Sequence, residues 1–146
     1  MELIKVEIEV SGQPRGKGRP RFTRNGHTYT DAKTKEYEKR IHAAAWQKMR
    51  ELKLKPISKF CHLELIAFME IPTSWSKVKQ IEAEFGAIKP ITKPDLDNII
   101  KAAKDGISGL DGIILDDKQV TSINAKKVYC HPERGPVLYI CVSWTE

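Results

Sequence analysis

Residues 4–10 read Ile4-Lys5-Val6-Glu7-Ile8-Glu9-Val10, a strict alternation of apolar and charged side chains. Successive side chains on a strand point to opposite faces, so this segment is a β-strand with one face in a core and one in water. A sheet wetted on one side needs cover on the other. Two segments with helical spacing supply it. Over residues 31–53, Tyr37, Ile41, Ala44, Ala45, Met49 and Leu52 share a helical face, and over residues 95–108, Leu96, Ile99, Ile100, Ala103 and Ile107 share another. Between strand and first helix, Asn25-Gly26 lies in residues 22–30 of good strand propensity, a hairpin signal. Residues 61–71 read as a strand closed by Pro72. Ser74 then caps a short helix in which Trp75, Val78, Ile81 and Phe85 share a face, and Gly86 ends it. Closing strands are expected over residues 119–130 and 136–144. The order β, ββ, α, β, α, α, β, β predicts an α/β (α+β) fold, with a single mixed sheet of about five strands and helices packed on it.

The chain has 146 residues, so residues 1–146 are expected to form one domain. Hydrophobic residues make up 40%, enough for one core and too many for a disordered chain. No apolar run reaches the roughly 18 residues of a membrane span, and the opening residues alternate where a secretory signal would be continuously apolar. Cys61, Cys130 and Cys141 are odd in number and at no metal-ligand spacing, and so read as reduced thiols in a cytoplasmic protein. His62 and His131 each neighbour a cysteine, but no second pair lies at zinc spacing. Trp46, Trp75 and Trp144 lie on apolar faces and are expected in the core.

The chemistry concentrates between Lys93 and Val120. Asp95 and Asp97 stand two apart at a helix start, Lys101 follows one turn after Asp97, and Asp116-Asp117 open a strand about twenty residues on. Carboxylate oxygens are hard ligands, and magnesium takes a few of them together with water and phosphate. If the intervening loop brings Asp116-Asp117 back beside the helix start, the acids form a site suited to metal-dependent phosphodiester hydrolysis. The same residues have an ordinary structural use, since aspartate favours helix starts and turns.

A second group of residues bears on the partner. Five cations (Arg15, Lys17, Arg19, Arg21 and Arg24) and no acid lie between Ser11 and Thr30, among glycines at 12, 16 and 18 that let a backbone approach phosphate. The net charge of +6 has the sign a polyanion would need. Gly12–Lys17 is one residue short of a phosphate-binding loop, and Gly18 stands where a hydroxyl residue should follow the lysine, so no nucleotide cofactor is expected.

Lys93-Pro94-Asp95-Leu96-Asp97-Asn98-Ile99-Ile100-Lys101, then Asp105-Gly106-Ile107, then Asp116-Asp117-Lys118-Gln119-Val120 closely resembles the signature of the RusA-type Holliday junction resolvases, KPD-x-DN-L-x-K, D-A-L and DD-x-QV. The resemblance extends more loosely to the opening strand and the basic loop. It implies a homodimeric, magnesium-dependent endodeoxyribonuclease, with manganese able to substitute, that nicks four-way junction DNA symmetrically in recombination and repair. A phage or prophage source is consistent with it. Position by position, Asp95, Asp97 and Asp117 match the metal-binding aspartates and Lys101 the essential lysine, while Asp116 matches an acidic position less firmly tied to the metal. Ile99 replaces the usual Leu, and Gly106-Ile107-Ser108 replaces Ala-Leu-Asn. A loop at 109–115 longer by one residue than in some relatives leaves the choice between Asp116 and Asp117 open. The competing readings are a non-catalytic basic module that binds branched or duplex DNA, and a hydrolase of small nucleotides.

Overall fold

The computed structural model describes residues 2–18, 21–26, 28–29 and 32–146. The elements are strands β1 (Leu3–Ser11), β2 (Arg21–Phe22) and β3 (Thr28–Tyr29), helix α1 (Ala32–Glu51), strand β4 (Cys61–Met69), helices α2 (Lys77–Glu84) and α3 (Leu96–Ile107), then strands β5 (Val120–Tyr129) and β6 (Val137–Thr145). This is the order the sequence predicts, with ends displaced by a residue or two.

The main sheet has four strands in the order β1-β6-β4-β5 rather than about five. The expected hairpin forms, but β2 and β3 pair only with each other, Arg21 opposite Tyr29 and Phe22 opposite Thr28. Two residues per strand bury too little to join the main sheet. Its turn closes through the Gly26 N–H donating to the Thr23 carbonyl at 3.0 Å, and Gly26 takes the positive φ of 79° that glycine tolerates.

Strand β1 carries out the alternation of its sequence. Val6, Ile8 and Val10 are buried, whereas Lys5, Glu7 and Glu9 face water. Strand β4 sits inside the sheet between β6 and β5 and buries Cys61, Leu63, Leu65, Ala67 and Met69 on the same side. Helices α1 and α3 cover that side. Tyr37, Ile41, Ala45 and Met49 from α1 and Ile99, Ala103 and Ile107 from α3 complete one continuous core with the strands. Strands β1 and β6, and β6 and β4, are antiparallel, but β4 and β5 run parallel. The chain must therefore cross back between β4 and β5, and α2 and α3 lie in that crossover.

Three expectations are corrected. Ser76 rather than Ser74 caps α2, its hydroxyl accepting from the Lys79 N–H. The apolar face expected of this helix is not buried: Val78, Ile81 and Phe85 are 68%, 53% and 80% exposed, and only Ala83 is enclosed. The covered face of the sheet is already filled by α1 and α3, which leaves α2 outside it. Of the tryptophans only Trp144 is a core residue. Trp46 is exposed with the Arg50 guanidinium 4.6 Å from its ring centre, and Trp75 meets Tyr129 edge-on at 5.4 Å with the Lys79 ammonium 4.0 Å from its ring.

The two covering helices meet closely at Gly106, where a Cβ would lie 2.5 Å from Ile41 Cγ2 and 2.6 Å from Ile41 Cβ. In an ordinary helix interior Gly→Ala stabilises by about 1 kcal/mol. At this site Gly106→Ala is expected to reverse that sign and cost about 1–3 kcal/mol through overpacking, read from urea unfolding.

Candidate active site

Asp95 is the N-cap of α3, in extended backbone at φ −67° and ψ 145°, yet its carboxylate makes no capping hydrogen bond. The structural use that best explains an aspartate here is therefore not made. Asp97 lies in the first turn, where the positive end of the helix dipole favours a carboxylate. Lys101, four residues on, shares its face, and Asp95, Asp97 and Lys101 are all exposed. Ile99, Ala102, Ala103, Gly106 and Ile107 fix the opposite face in the core, so these three polar side chains must point outward.

Two contacts hold the start of α3 in place. From the sheet, Lys127 on β5 donates its ammonium to the carbonyls of Thr92 and Pro94 at 2.7 and 2.9 Å. From the other side, the basic loop docks directly on the helix. The Lys17 N–H donates to the Asn98 carbonyl at 2.9 Å, and Gly16 lies so close that a Cβ would meet Asn98 Cβ at 2.8 Å and Pro94 Cβ at 3.0 Å. The loop and the helix start line a cavity of about 390 Å³, walled by Gly16, Lys17, Gly18, Lys93, Asp95 and Asn98.

Lys17 itself is engaged within the chain. Its ammonium pairs with Asp105 through a short hydrogen bond and with Glu38 at 3.5 Å, tying the loop to both α3 and α1. The hydrogen bond to Asp105, aided by both negative charges, raises its pKa above the ordinary lysine value of 10.5. Arg15 and Arg24 are exposed, Arg19 lies outside the described residues, and Arg21 is described by its backbone alone.

At the other acidic pair the two aspartates differ in their surroundings. Asp116 caps a 3-10 turn, Asp117–Gln119, accepting from the Lys118 N–H at 2.9 Å while its own N–H is held by Gln119 Oε1 at 2.8 Å. The Lys118 N–H holds its pKa below the usual carboxylate value. Gln119 then anchors the turn by donating to the Ile57 and Lys59 carbonyls, each at 2.8 Å. Asp117 stands beside this cap, half-buried, with its carboxylate outside the capping box.

The expected return of Asp116-Asp117 to the helix start does not occur within one chain. Lys127 marks the Asp95 end of β5, whereas Asp117 precedes Val120 at the strand's beginning. Seven strand residues at about 3.3 Å each, or the twelve residues of α3 at about 1.5 Å each, put the two acidic pairs on the order of 20 Å apart. Consistently, among the described residues no three His, Cys, Asp or Glu side chains are grouped to hold a metal ion. The oxygen chemistry of Asp95, Asp97 and Asp117 suits magnesium, but a single chain does not assemble it.

The model of the family Endodeoxyribonuclease RusA matches residues 11–138, from the basic loop through α3 and the Asp116-Asp117 turn into β6. The chain belongs to the RusA endodeoxyribonuclease family. It is also similar to a curated Bacillus subtilis (strain 168) protein, the uncharacterized protein YqaN. The two are 34% identical over 144 residues, covering 94% of this chain and 97% of that one. RusA-family nucleases act on Holliday junction DNA. Among the described residues no helix is long and apolar enough to cross a membrane.

Sequence reading missed two partners here, Asp105 for Lys17 and Lys127 for the loop at Pro94. Contacts across 88 and 33 residues carry no local signal. Lys17→Met is expected to cost about 1 kcal/mol, since both members of the pair are about a quarter exposed. A raised lysine pKa contributes stability below 10.5 and loses it as pH climbs through the higher folded value. Thermal unfolding of the wild type should therefore fall more steeply than that of Lys17→Met above about pH 10.5.

Proposed function

We propose that the chain is a magnesium-dependent, structure-specific endodeoxyribonuclease that resolves Holliday junctions by paired symmetric nicks, with manganese able to replace magnesium. The observation that carries this reading is the Asp95 carboxylate, which occupies a cap position without capping and lies exposed at the helix start that also carries Asp97 and Lys101, in a cavity lined by the docked basic loop. A divalent cation held by Asp95, Asp97 and Asp117 would lower the pKa of an attacking water and offset charge on the leaving oxygen. Lys101 places its ammonium one helical turn from Asp97, where it stabilises the charge that gathers on the phosphate as the bond to the leaving oxygen breaks.

The working unit is a homodimer. Two acidic pairs on the order of 20 Å apart in one chain become neighbours if a two-fold axis sets the Asp117 end of one protomer against the Asp95 end of the other. The dimer then carries two such sites, as two nicks in strands of like polarity require. The compartment follows from the substrate: the enzyme works where the DNA is, in the cytoplasm.

Incubating the protein with a labelled four-way junction and a linear duplex, with magnesium or with EDTA, tests the reading. Paired nicks on the junction alone, abolished by EDTA, are expected. Asp97→Asn should abolish nicking while leaving metal-free junction binding equal or tighter, because less negative charge faces the phosphates. Lys101→Met should slow nicking by about 10²–10³-fold with little loss of binding. Junction binding without nicking under either metal would leave a DNA-binding module in place of a nuclease.

A further inference from the structure

Between the basic loop and α1, a cavity of about 180 Å³ is lined by Arg15, Lys33, Glu36, Tyr37 and Arg40. Three cations face one carboxylate there. Lys33, Tyr37 and Arg40 recur at helical spacing along the first turns of α1, so the wall is one face of a helix closed by the loop. The space corresponds to about six waters at about 30 Å³ each, room enough for a phosphate group.

The Tyr37 hydroxyl is the telling group. Tyr37 is 2% exposed, and its buried oxygen has no acceptor for its proton. A buried hydroxyl whose proton finds no acceptor is costly, and native proteins rarely leave one so. The Arg15 backbone N–H, which the hydroxyl oxygen accepts from, and the charges of Arg40 and Arg15 act on this group, and both residues line the same cavity. Burial outweighs them and pushes its pKa up to about 12, so at neutral pH it is a donor and lacks only an acceptor. Arg40 is pre-set: its guanidinium lies 5.8 Å from the Tyr37 ring centre and donates to the Ser11 carbonyl, which fixes its position without neutralising it.

We propose that this cavity is a binding site for a phosphate of the DNA backbone, in which Arg15, Lys33 and Arg40 supply charge and the Tyr37 hydroxyl supplies a directed hydrogen bond. The proposal rests on the nuclease reading for the identity of its ligand. Gly16, next to Arg15, packs on Pro94 and Asn98, so a phosphate held here belongs to the strand segment adjoining the one over Asp95. The grip on DNA thereby passes from Lys17, which is committed to Asp105 and Glu38, to side chains of α1 that the basic composition of the loop does not reveal.

The test uses the full chain with Lys33→Gln and Tyr37→Phe, binding to a fluorescent four-way junction in EDTA across a salt series. Lys33→Gln is expected to weaken binding by about threefold to tenfold and to reduce the slope of log K against log salt by about one. Tyr37→Phe should weaken binding with the slope unchanged and with thermal stability equal or higher, since the hydroxyl whose proton lacks an acceptor is gone. Wild-type slope and affinity in both variants would overturn the proposal. Titrating inorganic phosphate into labelled protein, read at the Arg15 and Arg40 side-chain N–H signals by NMR, separates this proposal from the nuclease reading. Saturable shifts that Lys33→Gln weakens support an anion site even if the wild type cuts no junction. Shifts that never saturate, or that both variants reproduce unchanged, overturn it even if nicking is found.

Discussion

The parallel pairing of β5 with β4 constrains everything that follows. A parallel neighbour cannot be reached by a tight turn, so α2 and α3 must occupy the crossover. Because α3 returns along the sheet before β5 begins, its N-terminus lies at the far end of β5 and its C-terminus near that strand's start. Lys127 pins the first junction through the Thr92 and Pro94 carbonyls, and Gln119 pins the second through Ile57 and Lys59. Strand length alone then decides how far Asp95 stands from Asp117.

The basic loop is a structural part as much as a ligand surface. A flexible cationic loop would sample many positions, at an ordering cost that binding would have to offset. Here Lys17 is drawn into a carboxylate pair and Gly16 is pressed against α3, so the backbone next to Arg15 is held at two points. Lys17 ties the loop to α1 and α3 through Glu38 and Asp105. The cations that remain available are divided between the loop and the first turns of α1.

Most of the fold was legible in the sequence because its signals are local. The alternation at Ile4–Val10, the apolar face around Tyr37, Ile41, Ala45 and Met49, and that around Ile99, Ala103 and Ile107 each report burial on one element, and each is buried as read. The family was legible for a similar reason, since the Lys93–Val120 motifs are short and contiguous. Three things were not legible. The apolar residues of α2 have helical spacing, but spacing does not say whether another element will cover them, and none does. The division of Asp116 from Asp117 depends on a capping box that only the backbone conformation reveals. The separation of the acidic pairs depends on which strand β5 joins and in which direction, a long-range property invisible in the motif.

That separation makes the account testable at its centre through mixed dimers. Asp97→Asn and Asp117→Asn protein, each inactive alone, are co-refolded, and the heterodimer is verified by mass. If each site joins Asp95 and Asp97 of one protomer to Asp117 of its partner, one of the two sites in the heterodimer keeps all its native acids. The account therefore predicts that nicking returns, at a single strand per bound junction. If each site lies within one chain, every site in the mixture carries a lesion. A verified heterodimer that nicks no strand would contradict the shared site.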